Sequence, residues 1–445
     1  MATTNLIKSN SGILVYSYMK IFLVICFCSF LTGPLMGQSS DSSTFQKALV
    51  PYQAALQAYG SHHYKSYLEK LEKVRLYIPG HSDILYAQAQ AYALNNDTDK
   101  AKIILHQLVS MGLFIPVNSD TIFNAIKNEK EFMALQFEFE RNKTPLVNSK
   151  RAFVLSEMDL ANEGMAYDSK THTFFVSSIH KRKIIAISKD GEIKDFSKPQ
   201  DSLGGIYGMT VDPVRNQLWA CSNAVPQMQG YVPSMEGQTF LCRYDLNTGK
   251  LLEKFFINDT LSKHQIKDVT VTSKGEIYFT DMAENTVYQL VGKIPVRIIP
   301  PGILAGALGL CSTDDGASLF ISDFIQGVFK YSIANHKVER LPLPDNSTVQ
   351  GIDGLYYHQG KLLAVQNGVN PRRVIQCDMN KEENRINTVT ILEVNHPDYD
   401  WPTLGVIQGS YFYYVANSQW TNFSANGKVN DATQLKSPVI LKLKL

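Results

Sequence analysis

Gly275–Leu290 reads GEIYFTDMAENTVYQL: two short runs rich in β-branched and aromatic residues, with Asp281 at the end of the first. Ala317–Ser332, ASLFISDFIQGVFKYS, repeats the unit with Asp323 in the same relative place. Such runs suit strands. Beyond Arg151 they are punctuated by KDG, NTG, SKG, DDG and HQG, the turn signals expected between antiparallel strands. Extending the alignment gives six copies of strand, turn and strand. They begin at Glu163 (EGMAYD), Tyr207 (YGMTVD), Lys267 (KDVTVT), Leu308 (LGLCST), Asp353 (DGLYYH) and Leu404 (LGVIQG), 41 to 60 residues apart. This is the period of a propeller blade. The prediction is a mainly β fold, a six-bladed β-propeller over residues 151–445.

In each copy the second strand ends 13 to 15 positions on, at Ser178, Ser222, Asp281, Asp323, Asn367 and Asn417. A blade's inner strand runs along the central channel and the next one returns, so these starts and ends share one face. Asp281 and Asp323 are therefore expected to serve the turn leaving the second strand, accepting hydrogen bonds from exposed backbone N–H groups. The last copy, with TLGVIQG, SYFYYVAN and SPVILKLKL, is one strand short of four. RAFVLSEM, Arg151–Met158, is left over before the first copy and is expected to complete that blade, removing an exposed edge.

Residues 43–141 carry a helical period. Leu85, Ala89 and Tyr92 share one face, Asn95–Asp99 is polar, and Ala101, Leu105 and Leu108 share the face of a second helix. The pair resembles a tetratricopeptide unit, with Pro79 ending the preceding helix. A small α-helical, tetratricopeptide-like module of this size is expected to pack or dock, and a protein partner could use it. Residues 142–150 read as a linker.

Met19–Gln38 has a Met-Lys start, an apolar stretch from Ile21 to Leu31 and a Gly-Pro break, the form of a secretory signal over residues 1–37, with Met19 as an alternative start. The apolar run is shorter than the roughly 20 residues of a spanning helix, so a secreted or periplasmic chain without a membrane span is expected. LVIC, ending at Cys26, weakly suggests a lipid-anchored cysteine, although Ile25 is bulky where that motif wants a small residue. Cys221, Cys242, Cys311 and Cys377 lack metal-ligand spacing. A net charge of +2 without a basic stripe argues against nucleic acid as a partner.

The segments NEGMAYD, GEIYFTDMAENTVYQL, DGASLFISDFIQGVFKYS and GIDGLYYHQGKLLAVQNG resemble the propeller superfamily of gluconolactonase, regucalcin, paraoxonase and the NHL-repeat proteins. The resemblance covers about two thirds of the chain. It implies a divalent cation such as calcium in the channel, held by carboxylates and amides at the starts of the inner strands. Carried over, the metal set is Glu163, Asp268 and Asp353. Two positions depart from that pattern: Lys267 stands where an amide is expected, and Leu308 where the fourth blade has asparagine. Calcium takes six to eight oxygens, and this ring offers few. Taken in order, the ring Glu163, Tyr207, Lys267, Leu308, Asp353, Leu404 is expected to be polar on one side and apolar on the other, with Lys267 neutralising its neighbours in place of a metal. The alternative register turns Lys267 away and Asp268 inward.

Two functions follow. One is a hydrolase similar to gluconolactonase, opening a lactone or related ester, with Asp353 or Glu163 as general base and Lys267 or a cation on the oxyanion. The other is a non-catalytic propeller binding a ligand or a protein. Tyr207, Asn367, Asn370, Arg372 and Asn417 are candidate contacts for a small polar or anionic ligand. His180, His264 and His358 are further candidate bases. The sequence contains no GxSxG elbow, phosphate loop or HExxH motif.

Overall fold

The computed structural model describes residues 44–257 and 262–445. The signal segment, with Met19, Cys26 and Cys28, lies outside the described residues. No helix among the described residues is long and apolar enough to cross a membrane.

Residues from Ser149 onward form six four-stranded antiparallel sheets, the blades of a six-bladed propeller. The inner strands are Asn162–Asp168, Gly205–Asp212, Ile266–Val271, Ala307–Ser312, Ile352–His358 and Gly405–Gln408. Neighbouring inner strands touch in chain order, and the sixth touches the first. Burial falls outward: the inner strand Ile266–Val271 is almost wholly buried, while Ile193–Asp195 at the rim of blade one is exposed throughout. The core lies between the sheets, where Phe279, Phe320 and Phe412 are fully buried, each contributing about 1.5–3 kcal/mol. The cysteines at 221, 242, 311 and 377 are buried and form no disulfide among the described residues, behaving as small apolar side chains.

A register slip near the start of each of the first five inner strands aims the channel-facing residue. In blade one Asn162 pairs with Ser178 but Met165 with Val176, so one residue is extra, and the same slip follows Ile206, Ile266, Ala307 and Ile352. A bulge re-aims side chains, and the slip brackets the residue that the repeat alignment placed in the ring. In five blades that residue precedes a glycine: Gly164, Gly208, Gly309, Gly354 and Gly405. Close approach requires it: neighbouring backbone crowds Gly164, Gly208, Gly309 and Gly405, and the Tyr356 hydroxyl crowds Gly354. A Cβ on Gly164 would lie 2.5 Å from the Tyr207 carbonyl oxygen, and one on Gly309 2.6 Å from that of Asp353. Blade three carries Asp268 instead.

Asp281 and Asp323 act as turn residues, as expected from the repeat. Asp323 accepts from the backbone N–H groups of Ala305 (2.6 Å), Gly306 (3.2 Å), Ile325 (3.0 Å) and Gln326 (2.8 Å). Asp281 does the same for Gln265, Ala283 and Glu284. Each carboxylate thus staples the loop entering its blade to the turn inside it.

The last blade is completed by the first strand of the propeller: Ser149–Val154 pairs with Val439–Lys444. The strand starts two residues earlier than expected, because Glu393 gathers the N–H groups of Asn148 (2.9 Å) and Ser149 (2.7 Å). The end of the expected linker therefore belongs to the propeller.

Five α-helices precede it among the described residues: α1 (Thr44–Gly60), α2 (Tyr64–Tyr77), α3 (Ser82–Leu94), α4 (Thr98–Ser110) and α5 (Lys130–Arg141). The predicted faces pack as read: Leu85 and Ala89 of α3 meet Ala101, Leu105 and Leu108 of α4, joined by Phe132, Leu135 and Phe139 of α5. Asp97 caps α4, accepting from the Lys100 N–H at 3.3 Å. The module rests on the loops of blades four and five. Phe45, Ala48 and Ile78 pack on Ile325. Phe114 donates to the Asn370 carbonyl at 2.8 Å. Arg340 reaches the Tyr77 carbonyl (2.6 Å) and Gln350 that of Pro79 (3.1 Å). Arg373, fully buried, donates to Gln366 (2.6 Å) and to the Met111 carbonyl (2.7 Å). Burial lowers its guanidinium to about 10. The partner that the helices visibly engage is the propeller of the same chain.

Candidate functional site

The bulges bring Glu163 of blade one, Lys267 of blade three and Asp353 of blade five together at one end of the channel. The Lys267 Nζ contacts Glu163 Oε1 and lies 3.0 Å from Asp353 Oδ1. All three residues are only 5% exposed, so each charge depends on its partners rather than on water. The Asp353 contact is an ion pair without an aligned hydrogen bond, since Oδ1 has no hydrogen-bond donor among the described residues. Its other oxygen is fixed: the Asn367 amide donates to Oδ2 at 2.7 Å and to the Pro402 carbonyl at 2.8 Å. Glu163 is held through its backbone carbonyl, which accepts from the Leu404 N–H (3.0 Å) and the Thr403 hydroxyl (2.8 Å).

The remaining ring positions are Tyr207, Leu308 and Leu404 from blades two, four and six. Charged and uncharged residues thus alternate by blade, and the expected division into a polar and an apolar side is corrected. The three charges converge from alternate blades because Lys267 is long enough to reach the other two. Its ammonium lies 5.6 Å from the centroid of the Tyr207 ring, a cation–π distance. The Tyr207 hydroxyl accepts from the Gln265 amide at 3.0 Å, and its ring meets Trp420 edge-on at 6.5 Å. Burial raises its phenol well above the usual value.

Asp268 does not join this cluster. Its oxygens accept from the backbone N–H groups of Val269 (2.9 Å) and Leu310 (3.1 Å), tying blade three to blade four. The register with Lys267 inward is the one adopted. The metal set expected from the resemblance, Glu163, Asp268 and Asp353, does not assemble, and no group of three His, Cys, Asp or Glu side chains among the described residues is placed to hold a metal. An ammonium stands between the two inward carboxylates, Asn367 turns donors toward Asp353, and Leu308 offers no side-chain oxygen. This donor set does not fit a divalent cation.

Burial pushes the Asp268 carboxyl up to about 7, although two backbone N–H groups oppose the shift. Its folded pKa thus lies above the unfolded value of about 4. The folded chain binds the extra proton, so this group's stabilisation is complete below about pH 4 and is lost as pH rises towards 7, at up to about 1.4 kcal/mol per pH unit. Urea unfolding between pH 4.5 and 8 should show this slope in the native chain and its loss in Asp268→Asn. An unchanged slope in the variant would assign the dependence elsewhere.

The other expected contacts have separate roles. Asn370 receives Phe114 of the helical module at its carbonyl. Asn417 closes a turn, accepting from the Val439 N–H at 2.7 Å and donating to the Ser437 carbonyl at 3.1 Å. The Arg372 guanidinium stacks 4.5 Å over Trp401. His180 is hydrogen-bonded to the Gln227 carbonyl (2.8 Å), and His264 lies 2.6 Å from Asp281. His358 ends the inner strand of blade five, six residues from its start at Ile352 and roughly 20 Å away at strand rise. Sequence reasoning missed Gln265, whose signal is its place two residues before the inward lysine in HQIKD, and Thr403, which gives no such signal.

No family model matches the chain, and no curated protein matches it. Among solved structures it is similar to a gluconolactonase from Xanthomonas campestris (13% identity, 67% of this chain and 96% of that one, TM-score 0.45). It is also similar to a luciferin-regenerating enzyme (12% identity, 68% and 96%, TM-score 0.47) and to virginiamycin B lyase from Staphylococcus aureus (13% identity, 67% and 99%, TM-score 0.43). These likenesses concern the propeller fold.

Proposed function

We propose that the chain is an exported hydrolase that opens a lactone or related ester at the Glu163–Lys267–Asp353 cluster. The observation that carries this reading is the Asp353 carboxylate: Asn367 fixes one oxygen, while the other has no hydrogen-bond donor among the described residues and faces the ammonium of the ring. In this mechanism Asp353 Oδ1 takes a proton from water as the water oxygen attacks the substrate carbonyl. Lys267 stabilises the oxyanion of the tetrahedral intermediate. Collapse breaks the C–O bond, and the proton on Asp353 passes to the leaving alkoxide, giving acid and alcohol. Glu163 keeps the ammonium in place, and Tyr207 and Trp420 offer an apolar wall beside it. Export is supported by the signal-like Met19–Gln38 segment. No step requires a metal or other cofactor.

The test is a panel of lactones and aryl esters, with and without chelator. Asp353→Asn should lower kcat/KM by about 100-fold or more, while Asn417→Ala stays within a few-fold of the parent. Turnover that survives Asp353→Asn would overturn the assignment. A second reading, a non-catalytic ligand-binding propeller, is favoured by the near-complete burial of the three charges. Ligand-induced thermal stabilisation without turnover would select it.

A further inference from the structure

The cluster also bears on cations. Two carboxylates facing each other across a buried channel repel unless positive charge lies between them. Here that charge is covalently part of the chain. Lys267 enters from blade three, touches Glu163 of blade one and sits 3.0 Å from Asp353 of blade five, with its ammonium side chain 6% exposed. It supplies one positive charge and three donors. A hard dication would instead require several more oxygens, and the neighbouring groups are arranged otherwise: Asn367 presents its N–H groups to Asp353 and Pro402, and both Asp268 oxygens accept from backbone.

We propose that Lys267 is a tethered counter-ion filling the place between Glu163 and Asp353 that a free cation would take. The native pocket therefore excludes divalent cations, and removing the amine creates a site for one hard divalent ion such as calcium. Two facing carboxylates and the space vacated by the side chain would form that site, with water completing the coordination. The proposal concerns cation binding and does not depend on hydrolysis.

Calorimetric titration with calcium chloride, and metal content after dialysis, test it on the full chain. The native protein should bind no calcium at millimolar concentration and show no shift in its thermal midpoint. Lys267→Ala should bind one calcium per chain at least about tenfold more tightly than the parent, a difference of about 1.4 kcal/mol. Adding Glu163→Gln to that variant should abolish the gain. If Lys267→Ala does not fold alone, refolding it and Lys267→Met in calcium replaces the titration, and recovery of the folded state supports the proposal. One tightly held calcium in the native protein would overturn it. So would a variant that binds no better than the parent, or one that calcium does not restore.

Discussion

Glu393→Ala is expected to lower the unfolding free energy by about 3–5 kcal/mol, one of the two largest losses predicted for a single side chain. The residue is wholly buried at the junction of blade five, blade six and the start of the propeller. Its carboxylate accepts from the N–H groups of Asn148 (2.9 Å) and Ser149 (2.7 Å), the hydroxyls of Ser149 (2.8 Å) and Tyr399 (3.2 Å), and that of Tyr414. Alanine leaves these donors facing a cavity. An unsatisfied buried group costs about 1–3 kcal/mol, and two or three such groups, after partial relaxation, give the stated sum. Urea denaturation measures it. Hydrogen exchange should also accelerate across Arg151–Val154, the strand that Glu393 seats. A loss below about 1 kcal/mol would mean that strand pairing holds the closure without the carboxylate.

Lys267→Met is the second. It removes the only positive charge between two buried carboxylates and keeps most of the side-chain volume. Breaking a buried ion pair by deleting one partner costs about 3–5 kcal/mol, whereas replacing all members with neutral groups of similar shape is close to neutral. Lys267→Met alone should therefore be strongly destabilised at pH 7. The triple variant with Glu163→Gln and Asp353→Asn should recover most of the loss. Chemical denaturation of both variants is the measurement. A triple variant as unstable as the single one would attribute the loss to packing around the lysine stem instead of to charge.

Much of this arrangement is legible in the sequence, because the same physical constraint recurs six times. The glycine after Glu163, Tyr207, Leu308, Asp353 and Leu404 marks a position with no room for a side chain, and so locates the channel-facing residue before it. Blade three lacks this marker and its bulge spans both Lys267 and Asp268, so the two compete as the inward residue until their contacts decide: Lys267 meets Glu163 and Asp353, and Asp268 accepts from backbone. Asp281 and Asp323 are legible as turn residues because short carboxylates at strand ends act locally. The seating of the helices is not legible. Arg340, Gln350 and Arg373 bind the carbonyls of Tyr77, Pro79 and Met111, and any residue supplies a carbonyl. Asn417 is hard to read for a related reason: an amide bonding backbone, as its own does, and an amide awaiting a ligand have identical letters.

The pairing of Ser149–Val154 with Val439–Lys444 also sets a timetable for biosynthesis. The ribosome completes the earlier strand 285 residues before its partner begins. At about 5–20 residues per second, that strand waits roughly 15–60 s without its partner strand. Blades one to five can form in succession during this interval, but the ring stays open until its final strand is made. A nascent chain stalled before residue 439 would therefore present two raw sheet edges to chaperones and proteases.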